Sequence, residues 1–354
     1  MSKLRIGLVG VGGICNGVHI PGYLNCKDCV ITAVCDIDPK RLLEAGNRCG
    51  VPEARRFSDY RDLIACEEVD AVDIATWNSM HCEIAQAAAR AGKPFSVEKP
   101  VGMNYHEAWD LAQTAAAMNV PSFVCLSWRY RPYTRYVKYF ISSGKLGKIY
   151  HFYIRCIKNS GLWEGRKLEW RFDKARAASG VLGDLGSHMI DILRFWGQEF
   201  KGIYANYGIE IKARPREDTG EMAPVNTDDW CNMICELESG ISCTIQLSRV
   251  ATTVDDRIEF EVYGERGGLI YRYDSGKQII EFTDAKTRQV ESLTPPESFL
   301  AEQSQSFVNL VNGIKDEDTA EITHGLACQA VIDAAIRSCE EQRYVSIAEI
   351  QEEK

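Results

Sequence analysis

The chain has 354 residues, with 41 Lys+Arg against 50 Asp+Glu and a formal charge of −9. With 45% hydrophobic and 26% charged residues it has the balance of a globular protein of about two domains, which excludes disorder along its length. An acidic balance without a basic stripe excludes general binding to a nucleic-acid backbone, and no apolar run approaches the roughly 18 residues of a membrane span. The opening Met1-Ser2-Lys3-Leu4-Arg5-Ile6 runs straight into a strand pattern with no signal-peptide core, so a cytoplasmic location is expected. The 14 cysteines mostly sit singly in apolar runs, as Cys35 and Cys125 do, where a thiol behaves as a small hydrophobe in a reducing compartment. Cys26-Lys27-Asp28-Cys29 and the pair Cys231 and Cys235 lack the second half of a four-ligand zinc site, so no metal is expected.

Up to residue 127, strand and helix patterns alternate. Leu4–Val9 reads as a buried strand, followed by a glycine-rich turn and a helix to about Leu24. A strand at 30–35 precedes a helix opened by Pro39, and Ser58 reads as the N-cap of a helix over Tyr60–Ala65. Next come a strand at 71–75, a helix at 82–91, a strand at 95–98, a helix over Tyr105–Met118 and a strand at 122–127. This alternation predicts a doubly wound parallel α/β sheet in a first domain over residues 1–127. Residues 128–354 read differently, as a second domain. Helices are expected at 133–143, 184–196 and 326–341, with strands at 149–156, 202–207, Trp230–Leu237, 241–247, 258–263 and 269–273. Strands in succession without crossover helices predict a mostly antiparallel sheet. Residues 212–228, with Pro215, Gly220 and Pro224, read as a long loop.

Gly10-Val11-Gly12-Gly13-Ile14-Cys15 sits between the first strand and the first helix. Gly10 suits the tight turn, and Gly12 lets the backbone approach a pyrophosphate at the helix N-terminus. The third fingerprint glycine is replaced by Cys15. Asp36 ends the second strand, where a carboxylate accepts from the adenosine ribose; Ile37, not a cation, follows it, which favours NAD over NADP. Two further segments carry chemistry. Lys99, in Glu98-Lys99-Pro100, follows a strand end, where open α/β sheets bind ligands. Asp184 and His188 are four apart, so a helix sets them on one face, and a carboxylate beside an imidazole supports a general base.

These segments together resemble the Gfo/Idh/MocA family of sugar and cyclitol oxidoreductases over nearly the whole chain. The resemblance rests on the Gly10–Cys15 turn, Val34-Cys35-Asp36, Asp73-Ile74-Ala75-Thr76 with Asn78 and His81, Glu98-Lys99-Pro100, Trp170-Arg171 and the Gly183–Asp191 segment. It implies an NAD-binding Rossmann domain over residues 1–127, followed over residues 128–354 by an α/β substrate-binding and oligomerisation domain with a large open sheet, and a homo-oligomer. It also implies Lys99, Asp184 and His188 as catalytic residues, with His188 the base while hydride passes to NAD. Gly10, Gly12, Gly13, Ile14, Asp36, Thr76, Asn78, His81, Glu98 and Lys99 are the implied cofactor contacts. The departures are Ser127-Trp128-Arg129 after the sixth strand and a glycine triplet reduced to Ser179-Gly180. Trp128, Arg129, Trp163, Trp170 and Arg171 offer aromatic faces and charged hydrogen-bonding groups to a sugar. The branch most similar is the bacterial glycoside 3-oxidoreductases, including those that open C-glucoside breakdown. This implies oxidation of a glucoside C3 hydroxyl, with an inositol dehydrogenase or a non-catalytic dinucleotide sensor as the alternatives. His19 reads as a packing or capping residue.

Overall fold

Short apolar runs and the helices between them build the first half of the chain. In chain order these are β1 (Leu4–Val9), a π turn (Cys15–His19) running into α1 (Ile20–Asn25), β2 (Cys29–Cys35), α2 (Pro39–Arg48), β3 (Arg56–Phe57), α3 (Tyr60–Ala65), β4 (Ala71–Ile74), α4 (Asn78–Arg90), β5 (Phe95–Val97), α5 (Tyr105–Met118) and β6 (Ser122–Val124). The computed structural model describes residues 2–314 and 316–353. It divides into one unit of Met1–Leu126 with Ala301–Leu326, and another of Ser127–Leu300 with Ala327–Lys354.

In the first unit all six strands pair in parallel, in the order β3-β2-β1-β4-β5-β6. Helices cover both faces of such a sheet, which is why β4, β5 and β6 are buried at every position instead of alternating. Local chemistry sets the helix ends. Asp38 caps α2 ahead of Pro39, accepting from the Lys40 amide at 2.9 Å. Asp59, one residue beyond the expected Ser58, caps α3 through the Arg61 amide at 2.8 Å; a carboxylate there also favours the positive end of the helix dipole.

The second unit begins with α6 (Pro132–Ser142), β7 (Ile149–Lys158) and α7 (Lys174–Ala177). A second π turn (Leu182–Gly186) follows, running into α8 (Ser187–Phe195). The chain continues through β8 (Phe200–Gly208), β9 (Ala213–Pro215), β10 (Met222–Pro224), β11 (Trp230–Leu237), β12 (Ser242–Ser248), β13 (Asp256–Gly264), β14 (Gly267–Asp274), β15 (Lys277–Asp284) and β16 (Val290–Leu293). It then enters α9 (Gln303–Val311) and α10 (Ile322–Glu341), and closes with β17 (Val345–Ser346) and α11 (Ile347–Glu352). A nine-stranded sheet runs β16-β15-β14-β13-β7-β12-β11-β8-β17, antiparallel except where β12 pairs β7. Burial alternates along β7 and β11, so one face packs inward through Phe152, Ile154, Cys231 and Met233 while the other is open. Residues 212–228 are not one loop: β9 and β10 form a two-stranded ribbon, in which Pro215 and Pro224 are tolerated because the ribbon edges need no further partner.

The sequence reading assigns everything after residue 128 to the second domain, whereas Ala301–Leu326 clusters with the first unit. Phe307 of α9 packs on Phe123 of β6 with ring centroids 5.7 Å apart, and the Val124 amide donates to the Ala320 carbonyl at 2.8 Å. The returning segment thus occupies the edge of β6, which would otherwise offer unpaired backbone groups. Among the described residues, no helix is long and apolar enough to cross a membrane.

Candidate functional site

At the nucleotide end, the sequence signals converge. Gly10 has φ +84°, and a Cβ there would lie 2.7 Å from the Ala75 carbonyl oxygen and 2.8 Å from Thr76 Cγ2, so only glycine allows β1 to turn against the end of β4. Gly12 and Gly13 differ: a Cβ on Gly13 meets nothing within 4 Å, and one on Gly12 meets only the Arg41 guanidinium at 3.8 Å. The space above these two residues is open, at the start of a helix whose first amides point outward, which is the cradle a pyrophosphate requires. Ile14 is exposed beside it. The Asp36 carboxylate accepts from the Val11 amide at 2.8 Å and the Asp38 amide at 2.9 Å, fixing β2 to the glycine turn and leaving oxygen lone pairs for ribose hydroxyls. Arg41, whose guanidinium lies beside Gly12, is paired with Asp38 at 3.5 Å. These residues fit NAD.

Further along the same sheet, His81 is buried between two carbonyls. Nδ1 is 2.8 Å from the Pro100 oxygen and Nε2 is 3.3 Å from the Thr76 oxygen. Burial pushes this ring below the ordinary histidine value, so it is neutral, and the shorter contact assigns the single N–H to Nδ1 donating to Pro100. His81 thereby holds the Thr76 and Glu98-Lys99-Pro100 segments at a fixed spacing. Asn78 is buried at the start of α4. Glu98 accepts from the Lys99 amide at 3.1 Å, and Lys99 itself is half-buried.

His19 is neither a cap nor ordinary packing. It is 2% exposed, with Nδ1 2.7 Å from Asp73 Oδ2 and Nε2 3.0 Å from Glu98 Oε1. Nothing in the local sequence signals this cluster, because its members come from three separate elements.

In the second unit, Asp184 lies in the π turn and His188 in the first turn of α8. Across residues 181–193 these two are the only side chains not buried, so they share the one face left open. Asp184 does not cap the helix. That work falls to Asp228, whose carboxylate accepts from the Gly180 amide and, at 2.9 Å, from the Leu182 amide. Gly180 makes the approach feasible, since a Cβ there would sit 1.9 Å from the Asp228 carbonyl oxygen. At the end of β7, Lys158 pairs with Asp256 at 3.2 Å. Burial works against its charge, but Cys156, Asp256 and Asp184 together hold it above the ordinary lysine value, which places a lysine beside the Asp184 face that the sequence reading missed. A charged residue closing a strand in front of a DxxxH helix was the available signal.

The sugar-facing expectations divide. Arg129 is a correction: it is 1% exposed, and its guanidinium grips Asp191 of α8 at 2.6 to 3.0 Å. A guanidinium this deeply buried and paired faces the interior of its own unit, where it anchors α8. Trp128 is also buried, stacked beneath Arg131 at 3.3 Å and edge-on to Tyr273 at 6.3 Å. By contrast, Trp163 is 60% exposed, and Trp170 is half-buried with the Arg171 guanidinium 4.4 Å from its ring centroid. Their segment is braced at Phe172, which three guanidiniums approach: Arg166 at 4.9 Å, Arg214 at 4.1 Å and Arg249 at 4.6 Å.

Comparison with known proteins bears on this geometry. Residues 4–125 match the oxidoreductase family with an NAD-binding Rossmann fold, and residues 134–270 match the GFO/IDH/MocA C-terminal domain. The levoglucosan dehydrogenase of Pseudarthrobacter phenanthrenivorans is 30% identical over 297 residues, 79% of this chain and 76% of that protein. The glucose-6-phosphate 3-dehydrogenase of Bacillus subtilis is 25% identical over 315 residues, 88% of this chain and 86% of that one. Among solved structures, a levoglucosan dehydrogenase in complex with NADH superposes with a TM-score of 0.87 at 25% identity, over 98% of this chain and 99% of the other. With the glycine cradle, Asp36 and the open Asp184–His188 face, these matches show that the chain belongs to the Gfo/Idh/MocA family of NAD-dependent oxidoreductases.

Proposed function

We propose that the chain oxidises the C3 hydroxyl of a glucoside to a 3-keto glucoside. The observation that carries the chemistry is the pairing of Asp184 and His188 as the only unburied positions of an otherwise buried helix start. A histidine so placed can take a proton from a substrate hydroxyl, and the neighbouring carboxylate stabilises the imidazolium that results. Lys99 is assigned the second polar role, donating to the oxygen as it loses its proton. NAD, when bound, supplies the hydride acceptor, so one secondary alcohol becomes one ketone and one proton stays on His188.

The choice of sugar rests on the relatives. One is named for levoglucosan, a glucose ring whose anomeric carbon is locked in an internal bridge, and another for dehydrogenation at position 3 of a glucose phosphate. A blocked anomeric carbon and a reacting C3 together describe a glycoside 3-oxidation. Exposed Trp163, with Trp170 and Arg171, supports it by offering ring faces and a cation to a pyranose. The open face of the large sheet, carrying Tyr153, Tyr204 and Ile234, supports assembly as a homo-oligomer.

The test is incubation with NAD and an aryl glucoside, with levoglucosan and myo-inositol in parallel, followed by mass spectrometry of product and absorbance of NADH. The expected product is the glucoside short of two hydrogens, while its 3-deoxy analogue, which has no C3 hydroxyl to oxidise, should give no NADH. Turnover of inositol with no glucoside product moves the chain to the cyclitol dehydrogenases.

A further inference from the structure

The π turn Cys15–His19 ends on a histidine whose two ring nitrogens both face carboxylates: Asp73 at 2.7 Å and Glu98 at 3.0 Å. The Tyr23 hydroxyl donates to the other Asp73 oxygen at 2.9 Å, and the Lys99 amide donates to the other Glu98 oxygen at 3.1 Å. Every carboxylate oxygen of the cluster therefore has a donor, provided both ring nitrogens carry a proton. A neutral ring would set a nitrogen lone pair against a carboxylate oxygen in a nearly waterless interior. The geometry thus requires a proton in each of the two contacts, and an imidazolium between two carboxylates supplies both. Burial opposes that charge, but the two carboxylates prevail and hold the proton to about pH 10. Glu98 is held below the ordinary carboxylate value, its burial outweighed by the bond to His19 and the nearby charges of His19 and Lys99.

The other groups around the ring do not change this balance. Cys15 sits in the same π turn, and the Cys125 thiol, just after β6, lies within 4.8 Å of the facing atoms of His19 and Asp73. Burial pushes both thiols well above the ordinary value, so they stay neutral, as does the Tyr23 hydroxyl. His81, on the far side of Glu98, is neutral as well.

Asp73 lies in β4 and Glu98 directly follows β5, on the half of the sheet beyond the point where strand order reverses between β1 and β4. A dinucleotide crosses that reversal along the carboxyl ends of the strands, one mononucleotide to each side. The glycine turn and Asp36 serve the adenosine side, which leaves Glu98 and Lys99 on the nicotinamide side.

We propose that His19 is a positioning residue for the nicotinamide end of the NAD site, a buried charged bridge that fixes the Glu98 carboxylate and the turn presenting Lys99. It acts through Glu98 and touches no ligand. The inference rests on the dinucleotide site alone, so it stands or falls independently of the alcohol that is oxidised.

Two measurements test it. In the wild-type chain labelled with ¹⁵N-histidine, one ring should remain doubly protonated at pH 9; six rings all neutral at that pH overturn the proposal. In His19→Gln the Asp73 and Glu98 carboxylates lose the cation between them, so one of them should hold a proton well above the ordinary carboxylate range. The dissociation constant for NAD, read by fluorescence titration, should rise about tenfold, the equivalent of one charged hydrogen bond, and become pH-dependent where the wild-type value is flat. The double variant His19→Gln, Glu98→Gln should bind weakly with no pH dependence. A folded His19→Gln variant whose NAD affinity is flat with pH, weakened or not, reduces the residue to packing. Should that variant fail to fold, Glu98→Gln, which keeps the His19–Asp73 pair, carries the test: about tenfold weaker NAD binding is expected on the same reasoning, and wild-type affinity overturns the role.

Discussion

The π turn at Cys15–His19 buries its histidine between two carboxylates, while the π turn at Leu182–Gly186 leaves its aspartate half-exposed, one helical turn before a half-exposed histidine. Both turns run into a helix, and π turns recur at functional sites. The contrast separates two uses of a charge. A histidine sealed from water with both nitrogens committed can hold a shape and an electric field, but it cannot trade its proton. A histidine beside a carboxylate on an open face can. The first suits a cofactor that must be held, and the second a substrate that must be deprotonated.

The sharpest break of this contrast is His188→Ala. Turnover should fall by about 10²–10⁴-fold, the usual contribution of a general base, with the NAD dissociation constant unchanged. Steady-state rates together with a binding titration check both halves, and loss of NAD affinity would erase the division of labour between the two helices.

The glycines at the two helix starts offer a smaller test. Gly180→Ala places a Cβ 1.9 Å from a backbone oxygen that cannot yield cheaply, so about 3 kcal/mol of stability should be lost, seen as a lower Tm. Gly13→Ala meets nothing within 4 Å and should leave Tm unchanged or slightly raised. Its methyl enters the cradle instead, and NAD affinity should drop about tenfold, the effect of roughly 1–3 kcal/mol of overpacking.

The same contrast should also show in thermal stability with pH. Folded His19 keeps its proton to about 10, whereas the unfolded chain releases it near 6.5. The stability this supplies is complete below about pH 6.5 and is lost as pH rises through about 10. A series of melting curves across that window should show Tm falling, and in His19→Gln the decline should begin at lower pH, where the uncompensated carboxylate gives up its proton.

What could be read in the sequence was local. Short buried runs separated by capped helices announce a parallel sheet, and the glycine turn, Asp36 and the Asp184–His188 spacing each lie within a few residues of the backbone feature they serve. The rest depends on distant partners. His19 meets carboxylates 54 and 79 positions away, the Gly180 amide meets Asp228 at 48, and Arg129 meets Asp191 at 62. Beside Trp128, Arg129 looked suited to a sugar; only the packed turn shows it facing inward. A π turn, moreover, is a hydrogen-bonding pattern without a residue signature, so neither one was legible.

The segment Ala301–Leu326 closes the edge of β6 long after that strand has been made. On the ribosome, Val124 must wait for Ala320, which at about 5–20 residues per second is a delay of roughly 10–40 s. During that interval the nascent six-stranded sheet shows an open edge and an uncovered Phe123, a surface on which chaperones act and at which premature termination would strand an aggregation-prone fragment. The chain thus completes its first-made layer nearly last, and its yield on overexpression should depend on translation speed between these two points more than on the stability of the finished fold.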